Sequence, residues 1–457
     1  MKWQPPRKET EDEKKRKALN ISIREGAAFN VSEGTGNRYI TPYGLALGSS
    51  NAQIGILTSL PPLLGSFVQL TVLKNMGRMS RKTISYLGAL WQAILWLVLI
   101  GVGVLSFSGV MKAIVPWLLI LVYSLLIIAG TYFSPVWSSW MKDLLPSTVG
   151  KYFGRRNKVC GATMLSSLLL AGFFIDLFKG TKVFIGFTAL FAIASASRFY
   201  SAALFKRMYE PPLIPDDGKN RSFKRFVKRM RKDNFGRFTY FSSIMSLATN
   251  IAAPFFAVYM LRDLGFSYAS FVIVIFSGLF ANLMAMPYWG YFADKYGNLK
   301  VLRVTGHLVP LVPLIWLLSI PIMKSRPEML IPFLILAEIF SGFCWAGFNL
   351  ASGDFIYEAV PKHRLAYTAA FFNIINNVGL FLGGVLGGVL AHSSGMLIGL
   401  SALPLVFLLS AIARFLTVIF FLPGVKEVRW VQPLKIADET EHLMRMMMRY
   451  RFRFPKF

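Results

Sequence analysis

Charge is scarce in this 457-residue chain: Asp, Glu, Lys and Arg make up 16% of it, where a soluble domain carries about 25%. Acids are scarcer still, 22 against 50 Lys and Arg, which leaves a formal net charge of +28. Only two cysteines occur, Cys160 and Cys344, both inside apolar runs, so neither a disulfide framework nor a cysteine metal site is expected. His307, His363, His392 and His442 are far apart in sequence and no HExxH occurs, which leaves a metalloenzyme without support. Residues 77–83 (GRMSRKT) bear only a superficial likeness to a P-loop, which argues against ATP as the direct energy source. No cofactor is expected. The first 20 residues lack an apolar core, so the first membrane helix, not a cleavable peptide, is expected to be the targeting signal.

Apolar residues fill the space: 54% of the chain, with a mean hydropathy of +0.51. They gather in runs of about 20 residues, the length a helix needs to cross a bilayer core of roughly 30 Å. Continuous runs such as residues 83–106 and 116–133 favour helices over alternating barrel strands. The fold class expected is an all-α polytopic membrane protein. Its twelve segments are residues 23–47, 51–73, 83–106, 114–134, 156–178, 183–205, 236–261, 267–292, 299–321, 329–352, 367–391 and 397–422. The first is the weakest by hydropathy, because it contains Glu25, Asn30, Glu33, Asn37 and Arg38.

Basic residues orient the chain. The odd-numbered connections hold only Lys112, Lys179, Lys182, Arg262, Lys324 and Arg326, and Arg38, Arg198 and Arg414 fall inside helices. The rest of the 50 lie at the termini, in the even connections and at flanking helix ends, which places both termini in the cytoplasm. Basic stretches beside hydrophobic helices point to anionic headgroups, not nucleic acid, as partner. The expected organisation is a basic tail (1–22), a six-helix bundle (23–205), a basic linker (206–235), a second six-helix bundle (236–422) and a basic tail (423–457). A basic amphipathic helix over 222–232, and the tail segment 441–454, are expected to lie on the membrane surface.

The halves share a weak internal repeat. Thr41-Pro42-Tyr43 matches Ala253-Pro254-Phe255 at an offset of 212, and residues 77–82 match 294–299 at 217. Asp143 to Pro146 matches Glu358 to Pro361 at 215, and Arg198-Phe199 matches Arg414-Phe415 at 216. Two like-oriented six-helix halves about an axis along the membrane normal are a transporter architecture.

Between the eighth and ninth segments stands Gly290-Tyr-Phe-Ala-Asp294-Lys295-Tyr-Gly297-Asn-Leu-Lys300. It resembles the loop signature G-x-x-x-D-R/K-x-G-R/K of the major facilitator superfamily, at its usual place between the second and third helix of a half. Gly290 would let helices approach closely, Asp294 would put a charge at a helix end, and Gly297 would permit a tight turn. The first-half counterpart keeps its basic residues but has Leu73 and Gly77 where glycine and aspartate are expected. The resemblance implies a twelve-helix fold, working as a monomer, whose first, fourth, seventh and tenth helices line a central cavity. No sugar-porter signature follows the sixth helix and no G-P-G pattern marks the fifth, so the subfamily stays open.

That cavity makes certain residues candidates. Asn30, Glu33, Asn37 and Thr41 fall on one helical face. Arg38 beside them is a candidate contact for an anionic group, with Asn37 and Asn250 as hydrogen-bond donors; pairing of Arg38 with Glu33 is the structural alternative. Glu338, about ten residues into the tenth segment, and Glu33 are the candidate proton carriers, since a carboxylate in lipid is cheapest to bury when protonated. Tyr123 and Trp345 are candidate aromatic walls, with ordinary packing as the alternative. Asp143 and Glu358 are expected to pair with Arg198 and Arg414 as symmetric salt bridges, against simple snorkelling. Gly379, Gly383, Gly384, Gly387 and Gly388 form a small-residue face, and Asn373, Asn376 and Asn377 precede it. The function expected is secondary transport of a small polar or anionic solute, with protons as candidate coupling ions, in the plasma membrane. Export of amphipathic compounds, a transport-inactive receptor or scaffold, and an embedded enzyme are the alternatives.

Overall fold

A computed structural model describes residues 10–75, 79–107, 112–145, 149–178, 180–212, 222–230, 232–361, 364–392 and 402–431. Every regular element among them is helical. The first half comprises α1 (Glu11–Thr35), α2 (Asn51–Asn75), α3 (Arg81–Phe107), α4 (Val115–Leu144), α5 (Val149–Asp176) and α6 (Val183–Arg207). The second comprises α7 (Asn234–Asn250), α8 (Tyr268–Tyr296), α9 (Asn298–Leu308), α10 (Leu330–Ala359), α11 (Leu365–His392) and α12 (Ala402–Phe421). Among the described residues, eleven helical passages are long and apolar enough to cross a membrane when α7 and α9 are followed into their continuations. Leu170, Leu177 and Phe420 are 70, 77 and 69% exposed on the outer surface, an arrangement stable in lipid and costly in water.

The passage that fails the apolarity test is the first, and its bounds differ from the expected 23–47. It begins twelve residues earlier, at Glu11, where Thr10 and Glu13 form a capping box and the first turn is acidic. It breaks at Gly36, then continues through a single 3-10 turn (Asn37–Tyr39) and a short helix (Ile40–Ala46). Gly36 packs against the Trp96 ring so closely that a Cβ would collide with it. The seventh passage also breaks, after Asn250, resuming at Phe255–Val258 and Tyr259–Asp263. The ninth resumes at Leu311–Leu317 and Ser319–Ser325. Pro254, Pro310 and Pro313 account for these breaks, since each withdraws a backbone N–H.

Packing repeats between the halves. In the first, α1 packs on α5 and α6, α2 on α4, and α3 on α4 and α6. In the second, α7 packs on α11 and α12, α8 on α10, and α9 with its continuation on α10 and α12. The halves meet through α2 against α11 and α5 against α8, which are exchanged by the same two-fold. Glycines make two of these contacts. A Cβ on Gly379, Gly383 or Gly387 would strike backbone carbonyls of Ser243, Leu247 and Ile251 in the seventh passage, while Gly384 and Gly388 face Ser59, Gly55 and Ala52 of α2. Asn373 donates to Gln69 at 3.2 Å and Asn377 to the Pro62 carbonyl at 3.1 Å across the same seam.

The salt bridges differ from expectation. Arg198 does not meet Asp143: it pairs with Glu25 of α1 at 3.5 Å and donates to Ser201 at 3.1 Å. Nor does Arg414 meet Glu358. It donates to Ser410 (3.1 Å), to the Val309 carbonyl (3.2 Å), whose i+4 partner Pro313 lacks an N–H, and to the Thr249 carbonyl (3.4 Å). Both guanidiniums are 1% exposed and sit too deep for the loop acids. Those acids are taken at the basic end, Asp143 by Arg81 at 2.5 Å and Glu358 by Arg429 at 3.4 Å. The linker helix is shorter than expected, Phe223–Arg229, and docks on the second half: Phe223 and Phe226 lie 5.3 and 5.5 Å from the Phe371 ring. Segment 441–454 lies outside the described residues.

The buried core is not divided evenly. At the end remote from the basic turns, residues of both halves, among them Tyr39, Leu57, Leu119, Phe255, Phe271 and Trp316, form one apolar cluster. Towards the basic end each half has its own: one around Phe238, Trp289 and Phe355, two smaller ones around Trp140 and Val136. Polar bonds also join the halves at the remote end. Arg262 donates to Asn51 (2.9 Å) and the Ser49 carbonyl (3.0 Å), Asn51 donates to the Ala391 carbonyl (2.6 Å), and Asp176 accepts from the Tyr268 N–H (3.0 Å).

Gly383→Val should lower stability by about 1–3 kcal/mol, because its side chain must displace the α7 backbone. Gly290→Ala, where a Cβ meets nothing within 4 Å, should leave the thermal midpoint unchanged. Melting curves of the two variants beside the parent check this.

Candidate substrate cavity

In the first half the polar stripe sits where α1 ends. The Asn30 amide donates to the Gly26 carbonyl at 2.7 Å, and the Asn37 amide donates to the Glu33 carboxylate at 2.5 Å. Arg38, on the 3-10 turn, is exposed, and Glu33 and Tyr123 of α4 lie close enough to feel its charge. Among the described residues Arg38 makes no ion pair within 4 Å; the break at Gly36 gives Glu33 to Asn37 instead. The structure therefore brings together Asn30, Glu33, Asn37, Arg38 and Tyr123.

Behind the stripe lies a charge cluster. Glu25, 3% exposed, stands between Arg198 at 3.5 Å and Arg156 of α5 at 3.9 Å. Arg156 lies 4.4 Å from the Trp137 ring, and Arg198 lies 5.0 and 5.6 Å from the rings of Phe29 and Phe133. The acid and the aromatic faces make a buried Arg198 and a half-buried Arg156 tolerable. Sequence reasoning noted Glu25 as a polar residue but did not find its partners, since they come from α5 and α6.

The second half carries a cavity of about 350 Å³. From α7 it is lined by Ser242, Met245, Ser246, Thr249 and Asn250, and from α11 by Phe372 and Asn376. From α10 come Trp345, Phe348, Asn349, Ser352, Gly353 and Ile356. None of these is charged. Asn250 donates to the Ser246 carbonyl at 2.9 Å and Ser246 to Asn376 at 2.8 Å. Asn250 and Trp345 of the sequence-derived set are in this wall; Glu338 is outside it, its carboxylate packed against Gly278 of α8. The missed residues did leave a signal: Ser242, Ser246 and Thr249, like Trp345, Asn349 and Ser352, recur at helical spacing.

At the basic end the signature turn is tight. Gly297 has φ +95°, and its nearest neighbour is Glu427, which accepts from the Leu299 N–H at 2.8 Å and so caps α9. Glu210 caps α3 in the same way, accepting from the N–H groups of Arg81 (2.8 Å) and Lys82 (3.1 Å). Glu210 and Glu427 are 217 residues apart, one of the offsets of the repeat. Lys295 and Lys300 lie 4.8 and 5.6 Å from the Tyr296 ring. Asp294 is exposed near Asp354, with no ion pair among the described residues. Gly290 faces open space, so close helix approach is not its role. Arg429 also donates to the Ala293 carbonyl, tying the chain after α12 across this turn.

Among the described residues no group of acids, histidines and cysteines is arranged to hold a metal ion, and both cysteines are buried and free.

A family model, that of the Major Facilitator Superfamily, matches residues 32–322 and 238–445. No curated protein matches the chain. Solved structures share its fold. The nucleoside transporter NupG is 15% identical, with a TM-score of 0.63 over 90% of this chain and 98% of that one. The D-xylose–proton symporter is 13% identical, with a TM-score of 0.68 over 92% and 99%. The POT family transporter PepTSo is 13% identical, with a TM-score of 0.67 over 89% and 97%.

Arg198→Leu should cost about 3–5 kcal/mol by leaving Glu25 short of a partner, and adding Glu25→Gln should recover part of that loss. A double-mutant cycle on thermal midpoints measures the coupling. Additive losses would remove the pair from the account of the first half.

Proposed function

Because the chain belongs to the Major Facilitator Superfamily, we propose that this membrane transporter moves a small polar or anionic solute by alternating access as a secondary transporter. The observation that carries the reading is Arg38: a cation without an ion-pair partner among the described residues, exposed at a helix break at the end of the first-half polar stripe. An arginine there costs free energy unless something pairs with it, and an anionic solute group is a fitting partner. Family membership argues against an enzyme.

The conformation supports alternating access. One apolar cluster and four polar bonds between halves close the end remote from the basic turns, while the cores separate towards the basic end. On the positive-inside rule the basic end is cytoplasmic, with both termini there, and this is the inward-open state in a plasma membrane. Glu33 and Glu338 are the proposed proton carriers. Glu33 is favoured for coupling to the solute, since it lies beside Arg38 and shares Asn37 with it as neighbour. Transporters named for nucleosides and D-xylose have this fold at 13–15% identity, which supports polar solutes as a class and selects neither.

Two outcomes are expected. In a thermal-shift screen of the purified chain, anionic metabolites should raise the midpoint, and Arg38→Ala should abolish the shift. An undiminished shift in the variant would remove Arg38 as a solute contact; no shift with any anion would transfer weight to amphipathic export. Arg262→Ala should loosen the closed end, so that a cysteine placed at position 50, which takes no part in these bonds between halves, reacts faster with an impermeant thiol reagent added from the side remote from the basic turns. Unchanged labelling would mean that the apolar cluster alone closes that end.

A further inference from the structure

The first-half site holds two opposite charges near one another without pairing them. Glu33 and Arg38 are five positions apart, about 7.5 Å along a helix, and the Asn37 amide that binds the carboxylate belongs to the residue just before the arginine. Each lies within the field of the other, yet no ion pair within 4 Å joins them among the described residues. Two ionised groups left apart at membrane depth cost more than the same groups paired, so their separation needs a cause. The helix break at Gly36 and the 2.5 Å bond from Asn37 to Glu33 supply it. Both groups keep unused capacity. Asn37 takes one oxygen of Glu33; the other has no partner among the described residues and is not closed off, and the same holds of the Tyr123 hydroxyl from α4. Arg38 is exposed, and none of its N–H groups is bonded among the described residues. The nearby cation does not answer Glu33. Arg198, whose charge reaches it, is paired with Glu25 at 3.5 Å, and Arg156 also lies on Glu25, at 3.9 Å. A plain anion on Arg38 therefore stands beside a carboxylate that repels it. A solute that carries its own ammonium removes the repulsion and uses the free oxygen of Glu33.

We propose that this site seats a zwitterion, with its carboxylate on Arg38 and its ammonium on Glu33 and the Tyr123 hydroxyl, so that the substrate class is a small aminocarboxylic acid. This rests on the reading of Arg38 as the anion contact. The ammonium fills the place that a coupled proton fills when the solute is a plain acid. The gap held open between Glu33 and Arg38 sets how far apart the solute's own charges stand, so the site selects by spacing as well as by sign.

The test measures affinity of the purified full-length chain for four compounds built on the same carbon chain: 2-aminobutanoate, 4-aminobutanoate, butanoate and butylamine. The tighter-binding of the two aminobutanoates should exceed both butanoate and butylamine by at least about tenfold, the worth of one hydrogen bond to a charged group. Glu33→Gln, which keeps an oxygen for the Asn37 amide, should remove the advantage over butanoate. Arg38→Ala should weaken the aminobutanoates and butanoate alike. Melting midpoints without ligand identify a variant that does not fold, and the comparison of compounds on the unaltered chain stands without any variant. Butanoate binding as tightly as both aminobutanoates, and lost in Arg38→Ala, would overturn the zwitterion and leave the Arg38 reading intact. Aminobutanoate binding indifferent to Arg38→Ala would overturn the Arg38 reading and this proposal with it. An advantage over butanoate that survives Glu33→Gln would overturn Glu33 as the ammonium contact. Absence of binding by all four compounds would overturn both readings.

Discussion

An unpaired backbone carbonyl in hydrocarbon is the cost around which this molecule is arranged. Lipid offers no hydrogen bonds, so an unbroken helix is the default crossing, and every interruption needs a protein group to repair it. The described chain interrupts itself at three passages, the first, seventh and ninth. At the first, the 3-10 turn restores backbone bonding, with Tyr39 donating to Gly36 at 2.9 Å. At the seventh and ninth, backbone bonds span the break, Ala253 to Thr249 at 3.0 Å and Val312 to Val309 at 3.3 Å, and Arg414 reaches from α12 to add a further donor to each of these two carbonyls. A buried cation with no carboxylate in reach is thus explained by the negative ends of two helix segments, not by a missing salt bridge.

The two halves solve the same problem with different side chains. Arg198 and Arg414 occupy matching places on α6 and α12, yet one pairs with Glu25 and the other with carbonyl oxygens. The loop acids show the same divergence. Asp143 takes its arginine from the start of α3, and Glu358 takes its own from the segment after α12. What stays constant is the role, a cation at each site and a carboxylate at the start of α3 and of α9 supplied by Glu210 and Glu427. The polar residues share this asymmetry: Glu33 and Arg38 stand at the break in the first passage, while the second-half cavity is lined by neutral groups.

Close packing at the seams makes rocking of rigid halves mechanically plausible as a mode of transport. Glycines on two faces of α11 bring it against α7 on one side and α2 on the other, so the second half's inner packing and the contact between halves share one helix. The polar bonds at the remote end are few and lie at helix ends, where they break without exposing a core. The separate clusters at the basic end leave each half self-supporting when that end parts.

Helix number, type and approximate place were readable from sequence because hydrophobic length is a one-dimensional property set by bilayer thickness. The family and the halved architecture were readable through repeat offsets and the turn at Gly297, whose φ of +95° only glycine adopts easily. Candidate ionisable residues were also visible, since any charge in an apolar run stands out. Their partners were not. Arg198 with Glu25, Arg414 with Val309 and Thr249, and Glu427 over the turn before α9 are contacts between residues more than a hundred positions apart. The loop acids looked like natural partners on symmetry, but depth along the helices decided otherwise. The cavity was hidden for a similar reason: serines, a threonine and asparagines on three helices are ordinary singly and line one space only when packing brings the helices together. Sequence therefore determined what each segment must bury. Tertiary structure alone decided which polar atoms were left over, because satisfaction of a hydrogen bond depends on the neighbour and not on the residue.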